Sequence, residues 1–489
     1  MYFKELLDSS GVSRAFSQSD DFEVKGIACN SQFVGEGFVF VAINGNRHDG
    51  RIFIQQTIQR GARGIVCEPP INPGLDLGRV SLVHVKDARK ALADLASSFY
   101  GAPSLKLNVV GITGTNGKTT VTYLIESILK QAKHKPAVIG TINCRLQDKV
   151  VASDNTTPGP LELQSLLSGF LEGGADHLVM EVSSHALKQE RTRGIEFSSA
   201  IFTNLTQDHL DYHLTLEDYF ESKAKLFKGL SSKAAAIINS DDAFSCRIPG
   251  LTSARIISYG IRNKSDVMAK DIQLCSSGTK FRIEFSDKKG FDVQVALIGL
   301  HNVYNILAAV AWAASRGISN ETIRAALANF IVVPGRLEKF TSPDGYSVFV
   351  DYAHTEDALR SVIVSLRQLV TGRLIVVFGC GGERDKDKRP KMGRVASDMA
   401  DFCIITNDNP RSEDPDDIIN QIKQGIKKDN YEVIPDRVLA IKKALSIASK
   451  GDIVLIAGKG HENYQLLKDG RHHFDDREAV RECLKSQRS

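Results

Sequence analysis

Short apolar runs alternate with stretches of helical periodicity along most of the chain. In the N-terminal part, apolar runs at 37–43, 64–67 and 81–85 predict strands, and residues 88–99 have the spacing of an amphipathic helix. Later runs of the same kind lie at 107–110, 135–140, 177–182, 199–205, 234–239, 347–350, 374–378, 402–406 and 453–457. This alternation of strands and helices predicts an α/β fold with mostly parallel sheets.

One of these strand-to-helix transitions contains a glycine-rich turn. The segment Gly111-Ile-Thr-Gly-Thr-Asn-Gly-Lys-Thr-Thr120 follows the run at 107–110 and precedes the apolar positions of a helix at 121–129. Gly114 and Gly117 can adopt backbone angles closed to other residues, so successive amides can turn toward an anion at the positive end of that helix. We therefore predict a phosphate-binding loop.

The loop predicts ATP and Mg²⁺ as its ligands. Lys118 would lie against the terminal phosphates, and the hydroxyl of Thr119 would hold the magnesium ion. The usual spacing of such loops needs a glycine at position 112, where this chain has Ile112, so the loop is a variant form. The predicted ATP-binding residues within it are Gly114, Thr115, Asn116, Gly117, Lys118, Thr119 and Thr120. The alternative is an ordinary tight turn, which the flanking strand and helix disfavour.

Length and two interruptions of the pattern predict three domains. A chain of 489 residues exceeds what one core holds at ~150 residues per domain. Gly101-Ala-Pro-Ser104 and Pro334-Gly335 mark the boundaries. We predict a small N-terminal α/β domain at 1–103, a central P-loop-type domain with a doubly wound, mostly parallel sheet at 104–334, and a C-terminal Rossmann-like α/β domain at 335–489.

Amino-acid composition argues against several classes of protein. Hydrophobic residues make up 42% and charged residues 25%, as in an ordinary globular protein. The 62 basic and 58 acidic residues give a net charge of +4, which does not predict nucleic-acid binding. Residues 1–11 carry charges where a signal peptide would need an uninterrupted apolar segment. No apolar run is long enough for a membrane span, and the eight cysteines form no C-x-x-C pair. We expect a cytoplasmic monomer that needs no membrane.

Polar groups follow the predicted strands of the central domain. They are Asn155-Thr-Thr157, Glu181-Val-Ser-Ser-His185 and Thr203-Asn-Leu-Thr-Gln-Asp-His209. Ligands of doubly wound sheets bind at the carboxyl ends of strands, so Glu181 and His209 are candidate magnesium ligands. Taken alone, each could instead be a capping glutamate or a surface histidine. Asn302 and Asn305 share one helix face, which by itself is no more than a helix cap.

The strands of the last domain also end in polar groups. These are Asp351-Tyr-Ala-His354, Gly379-Cys-Gly-Gly-Glu-Arg384, Asp408-Asn-Pro-Arg411 and Gly458-Lys-Gly-His-Glu462. Basic residues crowd 384–394, which could be a solvated face, but the neighbouring glycine pair at 381 and 382 favours a binding loop. A guanidinium beside a flexible turn is suited to gripping a carboxylate.

These motifs together resemble the Mur ligases over essentially the whole chain. The loop marks the wider family, and the segments 181–185, 351–354 and 408–411 resemble the members that add meso-diaminopimelate. The resemblance implies ATP-dependent amide-bond formation through an acyl phosphate in peptidoglycan precursor synthesis. It implies two small-molecule substrates, UDP-N-acetylmuramoyl-L-alanyl-D-glutamate and meso-2,6-diaminopimelate. The three domains would bind UDP, ATP and the incoming amino acid.

The resemblance also assigns roles to residues. It implies that Lys118, Lys223, His209 and Glu181 are catalytic, and that Lys223 is carbamylated and binds magnesium with Thr119, Glu181 and His209. As a plain residue, Lys223 would be a solvated helix lysine. Further ATP contacts are implied at Asn302, Arg336 and Asp351. The UDP-substrate residues implied are Cys29, Ser31, Asn46, Arg47, His48, Asn155, Thr156, Thr157, Ser183, Gln189 and Arg191. The amino-acid residues implied are Arg384, Asp408, Asn409, Pro410, Arg411, Gly458 and Glu462.

One segment departs from the family pattern. Mur ligases commonly have Asp-Ser-Arg in the first domain, where this chain has Asn30-Ser31-Gln32. Two alternatives to the ligase hypothesis stay open at this stage. Folylpolyglutamate synthesis shares the loop but does not account for the roughly 100 residues before it. A regulatory nucleotide-binding module shares the loop too, but it does not explain the polar strand ends of the last domain.

Overall fold

The computed structural model describes residues 1–12, 14–18, 21–45, 48–72, 74–152, 155–275 and 277–486. Its strands are β1 (Arg14–Gln18), β2 (Gly26–Ala28), β3 (Phe38–Ala42), β4 (Ala62–Cys67), β5 (Ser81–Val85), β6 (Asn108–Thr113), β7 (Pro136–Ile139), β8 (Cys144–Leu146), β9 (Lys149–Val151), β10 (His177–Glu181), β11 (Ser199–Phe202), β12 (Ala235–Asn239), β13 (Arg255–Gly260), β14 (Val267–Cys275), β15 (Gly278–Phe285), β16 (Gly290–Val295), β17 (Glu338–Thr341), β18 (Ser347–Asp351), β19 (Leu374–Phe378), β20 (Phe402–Ile405), β21 (Tyr431–Val433), β22 (Ile453–Ala457), β23 (Tyr464–Leu467) and β24 (Gly470–His473).

Helices follow most of these strands. They are α1 (Phe3–Ser9), α2 (Ile54–Gln59), α3 (Ala88–Phe99), α4 (Lys118–Gln131), α5 (Pro160–Glu172), α6 (Ser184–Lys188), α7 (Leu210–His213), α8 (Leu216–Lys228), α9 (Leu300–Ser315), α10 (Asn320–Ala328), α11 (Glu356–Arg367), α12 (Lys388–Met399), α13 (Pro415–Lys423), α14 (Arg437–Ile447) and α15 (Asp476–Ser486). Among the residues that the structure describes, none of these helices has the length and hydropathy that a membrane crossing requires.

The first of two compact units comprises residues 1–111 and 134–199. Its N-terminal sheet has the strand order β1-β5-β4-β3-β2, with β2 to β5 parallel and β1 antiparallel to β5 at the edge. Phe3, Leu92 and Leu95 cover one face of this sheet, and Phe40 and Ile65 lie in the cluster on the other face. Later in the unit, β7 pairs in parallel with β10 and antiparallel with β8.

The second unit comprises residues 112–133 and 200–489. Strands β12, β13 and β14 are parallel, and β15 and β16 then continue the sheet as an antiparallel ribbon. Helix α9 is buried along most of its length. Its start, at residues 300–305, reaches the phosphate loop through Asn305, which lies against Gly117.

The C-terminal part of the second unit contains a six-stranded sheet of order β17-β18-β22-β19-β20-β21. All its pairs are parallel except β17 with β18. One face packs against α11, α12 and α13, and the other face packs against α14 and α15. Residues 374–378 are all buried because both faces are covered, which explains why this strand is a continuous apolar run. The predicted α/β class and the doubly wound C-terminal sheet are confirmed.

Candidate active site

The phosphate loop is held in shape by the strand end next to it. Thr115 N donates to the carbonyl of Asn204 at 2.8 Å, and Asn116 N donates to the Asn204 side chain at 2.9 Å. Thr203 Oγ1 donates to the carbonyl of Asn116 at 2.6 Å. The partners in these bonds are residues 203–204. The polar residues at that strand end therefore fix the shape of the phosphate loop, in addition to the chemical role predicted for this segment.

Two positions of the loop require glycine, because their backbone angles are unfavourable for other residues and because neighbouring atoms leave no room for a Cβ. Gly114 and Gly117 have φ values of +147° and +89°. A Cβ at Gly114 would lie 1.9 Å from Thr203 Oγ1, and a Cβ at Gly117 would lie 2.3 Å from Asn305 Oδ1. The loop therefore packs closely against Thr203 and Asn305 at the start of α4, and the N-terminus of a helix is a favourable position for a phosphate. We call this position the cradle.

Both predicted catalytic lysines lie at this cradle. Lys118 Nζ donates to the carbonyls of Gly114 and Thr115, each at 2.9 Å. Lys223, on α8, is 1% exposed, and its Nζ donates to the carbonyl of Gly114 at 2.9 Å and lies 4.2 Å from the ring centroid of Tyr219. The interpretation of Lys223 as a solvated helix lysine is therefore wrong.

The environment of Lys223 favours its neutral form. Burial, and next the charge of Lys118, lower the pKa of Lys223 well below its ordinary value. An unprotonated amine is the form that reacts with carbon dioxide to give a carbamate. The structure thus provides the condition for the modification that the resemblance implies.

Titratable residues surround the buried Asp208. Its neighbour His209 has φ +55° and precedes α7, and His209 Nε2 lies 3.4 Å from Asp208 Oδ2. Burial opposes ionisation of Asp208, but the charges of His209 and Lys388 hold the pKa of this carboxyl below its ordinary value. Burial, reinforced by Lys388, lowers the pKa of His354 to about 4, so this imidazole is neutral at neutral pH.

Residues of the last domain reach the phosphate loop. Arg336 Nη2 donates to Thr119 Oγ1 at 3.1 Å, and its guanidinium lies 4.5 Å from the ring centroid of Tyr352. Asn116 Nδ2 donates to Asp357 Oδ2 at 3.1 Å. The structure therefore brings together the predicted ATP residues Thr119 and Arg336.

Two further predicted ATP residues are engaged with backbone. Asp351 accepts from the backbone nitrogens of Leu337 and Ala353, and its burial raises its pKa while Arg336 opposes that rise. Asn302 donates to the carbonyl of Ile298 and accepts from Asn305, so Asn305 is the member of this pair that lies against the loop.

A small cleft opens beside the Asn116–Asp357 hydrogen bond. It has a volume of about 210 Å³ and is lined by Gln207, Glu356, Asp357, Arg360, Lys388 and Lys391. Lys391 Nζ donates to Gln207 Oε1 at 2.7 Å. Because Asp357 accepts from Asn116, the cleft adjoins the phosphate loop and offers cationic groups next to it.

The predicted amino-acid pocket is built on the ends of β19, β20 and β22. Arg411 has φ +57°, and its Nη1 donates to the carbonyls of Gly382 and Asn409. Both Arg411 and Arg384 line Gly381, since Arg411 Nη1 and Arg384 Cγ lie 3.1 and 3.9 Å from the position of a Cβ there. Burial, and next the charge of Arg384, lower the pKa of Arg411. The two arginines therefore lie close enough for their charges to interact, and such a pair is suited to an anion.

A network of charged and polar side chains lies next to these two arginines. Lys459, which is fully buried, donates to Glu462 Oε2 and to Asn409 Oδ1, each at 3.0 Å. Asn409 Nδ2 also donates to Glu462 Oε2 at 2.9 Å. Gly458 approaches Asp408 so closely that a Cβ on it would lie 2.7 Å from Asp408 Oδ2. The predicted residues Asp408, Asn409, Gly458 and Glu462 therefore form one cluster.

In the first unit, Glu181 is 1% exposed at the end of β10. It accepts from the backbone and hydroxyl of Thr141, each at 2.9 Å, and Thr141 Oγ1 contacts Thr156 Oγ1 at 3.0 Å. The proposed metal ligands are thus divided between the units, with Thr119, His209 and Lys223 in the second. The joint magnesium site stays a prediction.

Several predicted UDP-substrate residues meet around Thr157. Its Oγ1 donates to the carbonyl of Glu181 at 2.9 Å and accepts from Ser183 N at 3.0 Å. Arg191 Nη1 donates to the carbonyl of Thr157 at 2.9 Å, and its Nε and Nη2 both donate to Gln189 Oε1. Asn155 is exposed at the start of this segment. The structure therefore gathers these residues at one strand end.

The predicted contacts of the N-terminal domain are more exposed. Asn30 Oδ1 accepts from Gln32 N at 2.9 Å and caps the short helical turn at 31–33. Cys29 and His48 are exposed, and Ser31 is partly exposed. Asn46 and Arg47 lie outside the described residues. The departure from Asp-Ser-Arg therefore keeps the capping acceptor at position 30.

Sequence reasoning missed several residues of this site. Asp208, Asn305, Lys388 and Lys459 are buried and His354 is partly buried, and none of them was assigned a role. The available signals were the positions of Asp208, His354 and Lys459 after predicted strands, of Lys388 in the basic stretch at 384–394, and of Asn305 on the helix face that it shares with Asn302. Only the fold shows that they lie beside the predicted residues.

Comparison with known proteins identifies the class. The profile of the Mur ligase family catalytic domain matches residues 23–100, that of the Mur ligase middle domain matches 112–313, and that of the Mur ligase glutamate ligase domain matches 335–460. The chain belongs to the Mur ligase family.

Within the family, the chain is similar to one particular kind of enzyme. The UDP-N-acetylmuramoyl-L-alanyl-D-glutamate--2,6-diaminopimelate ligase of Caldanaerobacter subterraneus subsp. tengcongensis is 44% identical over 478 residues, or 97% of each chain. The ligase of the same name from Aquifex aeolicus is 46% identical over 462 residues, or 94% of each chain. A solved structure of such a ligase superposes with a TM-score of 0.68 at 34% identity, covering 95% of this chain and 96% of that one.

Proposed function

We propose that this chain is an ATP-dependent ligase that joins meso-2,6-diaminopimelate to the D-glutamyl carboxylate of UDP-N-acetylmuramoyl-L-alanyl-D-glutamate. The similarity to ligases of that name supports it. The observation that carries the choice of amino acid is the pair of arginines, Arg384 and Arg411, near the partly buried carboxylate of Glu462. This arrangement offers cations to carboxylates and an acceptor to an ammonium group.

The chemistry explains why ATP is consumed. A carboxylate is a poor electrophile, so its oxygen first attacks the γ-phosphorus of ATP and ADP leaves, which gives an acyl phosphate. The amine nitrogen of the amino acid then attacks the acyl carbon and loses a proton, and the tetrahedral intermediate expels inorganic phosphate. Lys118 would offset the charge on the moving phosphoryl group, and the loop amides would orient the phosphates.

A magnesium ion is proposed at the same cradle, where it would polarise the phosphate oxygens. The hydroxyl of Thr119 and the carboxylate of Glu181 are oxygen donors of the kind such an ion prefers. A carbamate on Lys223 would add a third, and the neutral state that burial favours supports this modification. His209 would be the fourth ligand of the proposed magnesium ion.

The proposed substrate sites follow from the resemblance to Mur ligases. Ser31, Asn46, Arg47 and His48, together with Cys29, would meet the UDP end. The cluster around Thr157 would hold the peptide part of that substrate. We also propose the three domains 1–103, 104–334 and 335–489, a division supported by the order of the matching profiles, and a monomer as the working form.

The decisive test measures ADP release by the purified full chain. Release should require both UDP-N-acetylmuramoyl-L-alanyl-D-glutamate and meso-2,6-diaminopimelate, and the ligated tripeptide product should appear in equal amount by mass spectrometry. Release with folate and glutamate would instead assign folylpolyglutamate synthesis. ATP binding without turnover on either pair would favour a regulatory module.

A further inference from the structure

A second cluster of metal-ligating side chains lies in the first unit, at the amino ends of β7 and β10. His134 Nδ1 lies 2.6 Å from Asp176 Oδ2, and His177 Nδ1 lies 3.0 Å from Asp176 Oδ1. One ligand atom from each of the three residues lies within 4.8 Å of the other two. The imidazole rings stand edge-on, with centroids 4.3 Å apart.

The backbone fixes Asp176 at the centre of this cluster. Asp176 N donates to the carbonyl of Lys135 at 3.3 Å, Lys135 N donates to Asp176 Oδ1 at 2.8 Å, and Asn108 N donates to the carbonyl of Asp176 at 3.0 Å. The next residue, His177, begins β10 and pairs with Pro136 of β7. Two adjacent strands therefore hold the three side chains in one place.

This cluster is separate from the residues proposed for catalysis. Glu181 ends β10, whereas His177 begins it, so the two lie at opposite ends of the same strand. The side chain of His177 is 8% exposed, while those of His134 and Asp176 are 39% and 44% exposed. Solvent can therefore reach the cluster from one side, and the other side is packed against the unit.

We propose that His134, Asp176 and His177 bind a divalent transition-metal ion of the zinc class, with solvent as the remaining ligand. Two imidazole nitrogens and one carboxylate oxygen are a donor set that zinc accepts in tetrahedral sites. Magnesium and calcium prefer oxygen donors throughout, so this site selects against the ion proposed for the phosphate loop.

The geometry needs only a small adjustment to accept the ion. Zinc–nitrogen and zinc–oxygen bonds of ~2.0–2.1 Å at tetrahedral angles place neighbouring ligand atoms about 3.3 Å apart. The 3.0 Å separation between His177 and Asp176 is close to that value. The 2.6 Å contact of His134 must lengthen by less than an ångström, which its half-exposed ring allows.

The test uses the full chain, stripped with a chelator and kept free of nucleotide. Titration with Co²⁺ should give the intense visible absorption of a four-coordinate ion at one equivalent, and Zn²⁺ should displace it. His134→Gln should weaken Co²⁺ binding by at least about 100-fold, since loss of a direct ligand should exceed the 10–100-fold typical of outer partners. Asp176→Asn should act similarly.

A matched control is available on the β23–β24 hairpin. His472 Nε2 lies 2.8 Å from Asp469 Oδ1 at an exposed position. Among the residues that the structure describes, this histidine–carboxylate pair is not part of a group of three ligands. His472→Gln should leave Co²⁺ binding unchanged. Absence of the absorption band, or equal Co²⁺ affinity in the His134→Gln variant, would overturn the proposal and leave two histidines hydrogen-bonded to one carboxylate. The readout is metal binding, so its outcome is independent of ligase activity.

Discussion

The phosphate loop and the amino-acid pocket achieve fixed geometry by different means, although both lie in the second unit. The loop is shaped by neutral contacts to backbone, mainly from Thr203 and Asn204, and by glycines that a Cβ would displace. The pocket is shaped by buried charges, with Lys459 held between Glu462 and Asn409. The loop therefore depends on neutral contacts with a neighbouring strand end, whereas the pocket depends on the pairing of charged side chains.

This difference has an energetic consequence. Removing a neutral hydrogen bond costs about 0.5–1.5 kcal/mol, whereas removing one partner of a buried ion pair costs about 3–5 kcal/mol because the other charge is left without compensation. Substitutions in the loop should therefore affect turnover more than stability. Substitutions in the pocket should affect both, together with the choice of amino acid.

The largest expected effect concerns the loop. Lys118→Ala should lower kcat by about 10³-fold, or ~4 kcal/mol, because the moving phosphoryl group loses its cation. The melting temperature should change little, since Lys118 contacts loop carbonyls and not the core. Steady-state ADP release measures the first effect and thermal unfolding the second. Lys130→Ala, on the same helix but half-exposed and paired with Glu126, is the control for kcat only. A kcat within tenfold of wild type for Lys118→Ala would refute the phosphate role.

The next prediction concerns Lys223, which donates to the carbonyl of Gly114 in the loop. Lys223→Ala should lower kcat by about 10²-fold, and added short carboxylates should restore part of the rate by supplying the missing anionic oxygens. Lys228→Ala, exposed on the same helix, should be unaffected. Mass spectrometry of the intact wild-type protein under bicarbonate should also show the carbamate. An alanine variant with normal activity would remove Lys223 from the mechanism.

The pocket is tested by selectivity. Arg411→Ala should lower the preference for meso-diaminopimelate over L-lysine by about 10- to 100-fold, because the two substrates differ by one carboxylate and Arg411 would grip it. Arg411→Lys should recover only part of the preference, since an ammonium lacks the planar fork. Competition assays of kcat/KM with both amino acids decide this. Arg471→Ala, in the exposed hairpin strand β24, is the control; an unchanged preference in Arg411→Ala would place the carboxylate elsewhere.

The smallest expected effect concerns Thr203, which donates to the phosphate loop. Thr203→Val should lower the free energy of unfolding by about 1–2 kcal/mol, because the carbonyl of Asn116 loses a buried donor. Thr203→Ser keeps the hydroxyl and should lie close to wild type. Chemical denaturation measures the difference. If the valine variant were instead damaged as strongly as a variant of the buried Lys459 pair, the contrast between loop and pocket would not hold.

The contrast also explains what could be predicted from sequence. The loop and the buried strand at 374–378 were predicted because each is a local pattern, either glycine spacing or a continuous apolar run. The antiparallel ribbon β14–β16 was missed because the strand predictions rested on continuous apolar runs, whereas β16 alternates buried and exposed residues as a half-buried strand does. Lys459 and Asp208 look like ordinary surface charges in the sequence. Their burial depends on segments far away in the chain, which no local pattern records.

The cap at Asn30 has a consequence for the charge of this turn. The Asp-Ser-Arg pattern carries one negative and one positive charge, and Asn30-Ser31-Gln32 carries neither, so the net charge is the same in both. Because Asn30 Oδ1 accepts from Gln32 N as a carboxylate oxygen could, the turn itself tolerates either residue at position 30. Arg60 already donates to the carbonyl of Ser31 at 2.6 Å. Asn30→Asp alone would therefore add an anion, and Gln32→Arg alone would add a second cation, where a diphosphate is proposed to bind. We expect each single variant to change the affinity for the UDP substrate, in opposite directions, and the double variant to lie close to the original chain.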